Sequence, residues 1–571
     1  MRPKFSVRVS KCISRTALLF AGTLAACSTE ESAGQPQTDT TVEADAATDG
    51  SSPDVTVDDA SDVTPEPMAC PDGLPFRVWE EGVTGPHRRD LAGDFTITTV
   101  QGREFNLREA WTGCDVFVFI PDQIPNSSAD SSSIWERDID TLLAASPPNV
   151  HYFFVSTLTR TQSAASRAED MARRVEDAVD TFPREESDAW FERTHVVNVS
   201  AAELNSWLKD TFAGAGRQGF AIDRSQRIRG LGSFADVTRY NADLAAADAW
   251  PWESNLANAA QDAAYLNAEA RRDLELAAQE RTVVPLWQGE ILAEFAETEI
   301  ALPSPEELAT YDILEIEVDQ RCPDATIPEF GNCGAWDYLA YLFVYDGETR
   351  LELGRFITTY HREARFVVDA SPLLPLLAQG GTRKFRWEFA PPWNTQPTAT
   401  QVRLRFGRSE RTERPSELIP LWSGGTFNPE YNDNQPELEV PIPADATRVE
   451  LFAIITGHGA ELQNCAEFCN HVHEVRINGD AFVRDHPIVG NEQGCIAELE
   501  NGMTPNQWGT WWFGRGGWCP GQRVAPWVED VTDSITPGET ADLSYVATLN
   551  GRTPTAAAGN IHMTSYLVIY R

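Results

Sequence analysis

From about residue 283 to residue 571 the chain loses every trace of helical periodicity and becomes a series of short alternating runs cut by Gly, Pro, Asn and Asp. The runs read "ILEIEVDQ", "YLAYLFVYDG", "LELGRFITTY", "ARFVVDA", "RKFRWEFA", "QVRLRFG", "ATRVELFAIITG", "HEVRING", "TADLSYVATLNG" and "SYLVIYR". A period of two gives each run one apolar face, and such a face is buried only against a second sheet. Even spacing of the runs implies an all-β sandwich architecture, and their total length implies two sandwiches.

The preceding part is of another class. Over 70–250, "FTITTVQGREFNL" reads as a hairpin, and "CDVFVFIPD", "NVHYFFVSTL" and "THVVNVS" as buried strands. "WERDIDTLLAAS" and "SRAEDMARRVEDAVDTF" read as helices, and "GFAIDRSQRIRGLGSF" as a closing hairpin. Strand-length apolar runs alternating with helical periodicity imply an α/β domain with a central sheet. The order of elements resembles the thioredoxin-like fold of peroxiredoxin-type proteins. A redox-active member of that fold carries Cys just after the strand "DVFVFI", and here that position reads Pro121-Asp122-Gln123-Ile124-Pro125. The expectation is a redox-silent accessory or substrate-presenting domain. Residues 251–282, rich in Ala, Glu, Arg and Leu, form a helical connector.

The N-terminus carries Arg2, Lys4, Arg8, Lys11 and Arg15 before the short apolar core "TALLFAGTLAAC", the pattern of an export signal over 1–27. Leu24-Ala25-Ala26-Cys27 resembles the bacterial lipobox, which makes Cys27 the lipidation site of an exported, outer-membrane or surface lipoprotein. Residues 28–69 lack Lys and Arg and most apolar types, and are expected to form a disordered acidic tether. A formal charge of −40 disfavours nucleic acid and anionic lipid, so membrane contact is expected only through the anchor. With Cys12 and Cys27 set aside, an even set of cysteines remains, and in an exported chain it reads as disulfides. Pairing neighbours gives Cys70–Cys114, Cys322–Cys333, Cys465–Cys469 and Cys495–Cys519, although spacing does not fix connectivity. Cys465, Cys469, His471 and His473 in "NCAEFCNHVH" also have the ligand types of a zinc cage.

Three carboxylates stand out. Asp337 in "GNCGAWDYLAYLFVYDG" is in phase with Leu339, Tyr341 and Phe343 if it opens that strand, which would set a carboxylate on an apolar face. A bridged Cys465–Cys469 loop would present Glu467 with little freedom, as a reacting group requires. Glu388 in "RKFRWEFAPPW" is out of phase with Phe385, Trp387 and Phe389. Taken singly, these read equally as a strand-end Asp, a loop-tip Glu and a solvated Glu. "NQWGTWWFGRGGWCPG" surrounds Arg515 with Trp511, Trp512 and Trp518, rings that either fill space between sheets or stack on sugars. The chain has 17 Trp, many of them in this half, which favours a sugar cleft.

Together, "CGAWDYLAYLFVYDGETRLELGRFITTY", "ITGHG…NCAEFCNHVHEVRING" and "GRGGWCPG" resemble the peptide-N-glycosidase F family, secreted bacterial amidases that remove N-glycans from asparagine. The resemblance spans about 283–571 and implies two antiparallel jelly-roll sandwiches, over 283–412 and 413–571. It places Asp337 on the principal catalytic carboxylate, Glu467 on a second and Glu388 on a third. Trp336, Arg515 and Trp518 fall on substrate-binding positions, and the bridges 322–333, 465–469 and 495–519 match. Tyr338 and His458 stand where the best-known member has Arg and Trp, leaving the sugar-core preference open. The implied partners are N-glycosylated peptides or proteins, with no cofactor and no metal. The alternative is a non-catalytic carbohydrate-binding lipoprotein.

Overall fold

The computed structural model describes residues 69–122, 134–136, 139–204, 207–215, 219–231, 257–459, 465–491, 493–505 and 512–571. The expected signal, Cys27, the tether to residue 68, residues 123–125 and Trp511 lie outside the described residues. Among the described residues no helix is long and apolar enough to cross a membrane.

Val116–Asp122 is buried at every position, so it must be covered on both faces. It sits at the centre of a five-stranded sheet in the order Thr194–Val196, Val150–Ser156, Val116–Asp122, Phe220–Ile222, Ile228–Gly230. The first three strands are parallel and the last two antiparallel. Helices Ile139–Ala145 and Thr161–Val179 cover one face through Leu142, Leu143, Met171 and Val175. Phe95, Leu107, Leu208 and Phe212 cover the other.

Within the stretch expected to be a helical connector lies a long helix that is no free spacer. Helix Ala257–Ala278 packs Ala259, Ala260, Ala263 and Leu266 into the same core as the sheet, because a stripe of alanines lets its backbone approach closely. The same core continues into Leu499, Met503, Trp512 and Cys519 near the C-terminus.

Two antiparallel β-sandwiches follow. In the first, the sheet Ala364–Asp369, Ile313–Arg321, Thr398–Gly407, Thr282–Leu292 faces the sheet Thr349–Ile357, Leu339–Asp346, Gly381–Glu388, Phe295–Leu302. In the second, Pro415–Thr426, Asn560–Tyr570, Arg448–His458, Trp527–Asp530 faces Leu438–Pro441, Thr540–Leu549, His471–Ile477, Asp480–Arg484. Alternation does what the sequence requires of it: Phe385 and Trp387 point inward from one strand and Val402, Leu404 and Phe406 from another.

Charge ties these bodies together. Arg362, almost fully buried, donates to Asp262 of the long helix at 2.9 Å, to the Pro505 carbonyl at 2.7 Å and to the Gly230 carbonyl at 3.1 Å. It also pairs with Glu329. Beside it Glu363 takes Arg88 and Arg89 of the N-terminal domain. Truncating one member of such a pair strands its partner in low dielectric, so Arg362→Ala is expected to cost about 3–5 kcal/mol. The check is a drop in the thermal midpoint far larger than that caused by Arg350→Ala, whose pair with Glu388 is partly exposed.

Candidate functional site

Three loops converge on one buried guanidinium. Asp337 lies in the bend before strand Leu339–Asp346 of the first sandwich, Glu467 in the Cys465–Cys469 loop of the second, and Arg515 in the Gly-rich loop before Trp527–Asp530. Arg515 Nε donates to Glu467 Oε1 at 3.2 Å and Nη2 to Asp337 Oδ2 at 3.3 Å. Nη1 donates to the Phe513 carbonyl at 2.8 Å, and Nη2 also lies 3.4 Å from the Tyr360 hydroxyl. The Arg515 side chain is 0% exposed, whereas Asp337 and Glu467 keep 15% and 16%. The cation is therefore inside, and the carboxylates, mostly buried themselves, keep a small edge toward solvent.

The phase argument for Asp337 needs correcting. The strand begins at Leu339, after Asp337, and its core face is Ala340, Leu342 and Val344; Leu339, Tyr341 and Phe343 face outward and are half-buried. Asp337 is instead fixed through its neighbours. Thr358 Oγ1 donates to the Trp336 carbonyl at 2.6 Å and accepts from the Tyr338 N–H at 2.8 Å. Gln396 brackets Trp336, accepting its N–H at 2.6 Å and donating to its carbonyl at 3.0 Å. With both flanking peptides satisfied, the carboxylate has little freedom to leave Arg515.

Glu467 is held by the bridged loop. Its N–H donates to the Gly459 carbonyl at 3.2 Å, and its carbonyl accepts from the Gly516 N–H at 2.8 Å. The Glu467 and Arg515 loops are thus stitched backbone to backbone. Gly516 must be glycine there, because a Cβ would stand 2.2 Å from His471 Nε2.

Burial pushes the Glu467 carboxyl up to about 7, with Arg515 opposing and the nearby Asp337 charge adding to the rise. Asp337 is also raised by burial, against the pull of Arg515 and a hydrogen bond with Tyr360. Two carboxyls raised by burial on one buried cation are perturbed in the way that proton-transfer sites are.

The remaining expected residues divide. Trp518 is buried, donates Nε1 to the Gly457 carbonyl at 2.9 Å, and sets its ring 4.8 Å from the Arg515 guanidinium. His458 stacks on Trp518 at 5.2 Å and lies 2.9 Å from Thr456 Oγ1. Trp336 is 52% exposed, and the Tyr338 hydroxyl accepts from Asn394 Nδ2 at 2.7 Å, next to Trp393, which is 83% exposed. Open indoles beside the acids offer flat apolar faces to a ligand. Glu388 is not brought into the cluster. It is paired in register with Tyr341 and forms ion pairs with Arg386 at 2.8 Å and Arg350 at 3.1 Å. The cysteines of all four expected bridges are joined. Tyr360, Thr358 and Gln396 were not foreseen; no local motif distinguishes them.

A family model described as peptide-N-glycosidase F, C terminal, matches residues 426–568, the stretch that holds Glu467, Arg515 and Trp518. The peptide-N(4)-(N-acetyl-beta-D-glucosaminyl)asparagine amidase F of Elizabethkingia miricola is 24% identical over 279 residues, spanning 45% of this chain and 73% of that protein. Among solved structures, PNGase F, a glycosylasparaginase from Flavobacterium meningosepticum, aligns at 19% identity over 51% of this chain and 96% of its own, with a TM-score of 0.39. PNGF-II aligns at 13% identity over 53% and 68%, with a TM-score of 0.38.

A carboxyl whose folded pKa is raised weakens the fold as pH rises, since the unfolded chain ionises before the folded one does. With Glu467 raised from 4.5 to about 7, Glu467→Gln is expected to gain in relative stability across that window and to hold the gain above it. The gain is on the order of 3 kcal/mol. Thermal midpoints of both proteins at pH 4, 6 and 8 check this; a gap that stays constant with pH refutes it.

Proposed function

We propose that this chain is an amidohydrolase that cleaves the N-acetylglucosamine–asparagine bond of N-glycosylated peptides or proteins, releasing the glycan and converting Asn to Asp. The observation that carries the reading is the pair Asp337 and Glu467, each keeping a small exposed edge and held on the fully buried Arg515. Similarity to the Elizabethkingia amidase and to the peptide-N-glycosidase F model supports the substrate class.

In this reading Asp337 takes a proton from the attacking water, which adds to the side-chain amide carbonyl; the C–N bond breaks and the departing nitrogen is protonated. Glu467 positions the water or the first sugar. Because Arg515 is shut off from solvent, its part is to orient the two carboxylates rather than to touch the substrate. Trp336 and Trp393 would stack on sugar faces, with Tyr338 and His458 lining the approach. Glu388, on the outer sheet face, would act only through the sheet. The glycosylamine released then loses ammonia.

The same reading makes the chain a lipoprotein anchored at Cys27, with two jelly-roll domains behind a thioredoxin-like one. Cys114 of that domain is bridged to Cys70 and offers no thiol for exchange, which supports a redox-silent accessory role.

The test is incubation of the full chain with an Asn-linked glycopeptide, beside Asp337→Asn and Glu467→Gln, following peptide and glycan masses. The peptide is expected to gain the mass of Asn becoming Asp, and Asp337→Asn to lose activity by a factor of about 100 or more. Ionised Asp337 is the reactive form, so the acid limb of kcat/KM should lie above the ordinary carboxylate range. Glycans bound but never cleaved would establish the non-catalytic alternative.

A further inference from the structure

The two histidines of "NCAEFCNHVH" gain a third partner that cysteine spacing does not suggest. Strand His471–Ile477 turns back through Asn478-Gly479, both at positive φ, into Asp480–Arg484. Asn-Gly is the residue pair that two-residue hairpin turns select. His473 pairs with Arg484, so continuing the register by two residues sets His486 opposite His471. His471 and His473 share the inward face of their strand, and all three rings are buried.

We propose that His471, His473 and His486 form a site for a divalent transition metal, zinc by ligand class, which braces the loops carrying Glu467 and Arg515. One ligand nitrogen from each ring lies within 4.8 Å of the other two. His471 Nδ1 and His473 Nε2 are 2.7 Å apart, and the rings of His471 and His486 are 4.4 Å apart at their centroids. Zinc–nitrogen bonds of about 2.0–2.1 Å are reached from there by side-chain adjustment.

Two further observations point to an ion rather than to a plain histidine cluster. The His486 Nε2 atom is buried without a well-formed hydrogen bond, a cost that a ligand would offset. The outer nitrogen of His473, Nδ1, lies 2.7 Å from the Tyr545 hydroxyl, which in turn lies 3.1 Å from the Tyr431 hydroxyl. Metal-bound imidazoles are held in this way, with the far nitrogen hydrogen-bonded and the near one directed at the ion. The cysteines considered with them are consumed by their own bridge.

The position gives the ion its role. His471 Nε2 presses on the backbone at Gly457 and Gly516, and His486 lies beside Gly517. The loop that aims Arg515 therefore rests on two of the rings. His471 also follows the bridged Glu467 loop in the chain. A metal here would be a positioning element that fixes both loops.

The experiment uses the full chain, stripped with chelator and titrated with zinc alone. We expect uptake of about one equivalent and a higher thermal midpoint on binding. His471→Asn and His486→Gln should lose both. Anomalous scattering at the zinc edge from crystals of the wild-type chain should place the ion between the three rings, a readout that stands even if the variants fail to fold. No uptake by stripped wild type, undiminished uptake by the folded variants, or an anomalous peak elsewhere would each overturn the proposal.

Discussion

The structure around the site depends on one ion arrangement, a guanidinium with no exposure to water balanced by carboxylates from two different sandwiches. Burying such a charge costs several kcal/mol unless its donors are met, and here Asp337, Glu467, the Phe513 carbonyl and Tyr360 meet them. The cation–π faces of Trp518 and Phe468 close off the remaining sides. Everything else near the site serves to keep those donors and acceptors aligned. Thr358 and Gln396 hold the Asp337 bend, the Cys465–Cys469 bridge holds Glu467, and the Glu467–Gly516 backbone bond joins the two loops of the second sandwich.

Behind this sits a part of the chain that does no chemistry in the proposed reaction. Tyr360 belongs to the same hydrophobic core as the N-terminal sheet and the Ala257–Ala278 helix, as do Trp512 and Cys519 on either side of Arg515. The N-terminal domain therefore supports the rear of the Arg515 loop. Arg362, with partners in the domain, in the helix and at Pro505, fixes that docking electrostatically.

Much of this was legible in the sequence, for identifiable reasons. The period of two in "RKFRWEFA" or "QVRLRFG" is a direct imprint of one-sided burial, so the sandwiches could be read without a template. The motif residues Asp337, Glu467 and Arg515 could be named, yet their meeting depends on loops 178 residues apart in the case of Asp337 and Arg515, which periodicity does not report. Glu388 shows the converse: a plausible acid in a matching segment, which the strand register turns toward Arg350 and Arg386. The phase assigned to Asp337 failed because it assumed a strand that starts after it. The burial of the long helix was hidden because an alanine-rich stripe has little hydrophobic contrast. His486 was within reach of a register argument, since the Asn-Gly turn sets it opposite His471.

The split origin of the acid pair bears on how the molecule comes together. Glu467, Arg515 and Trp518 all belong to the second sandwich, and Asp337 arrives from the first together with Tyr360. Before the two sandwiches dock, the guanidinium has one carboxylate instead of two and a solvated environment, and the carboxyl of Glu467 lacks the like-charged neighbour that raises it. The tuned acid is thus a property of assembly order. It arises only when the long-range contact between the two sandwiches closes, so a chain in which they have not met carries no competent pair.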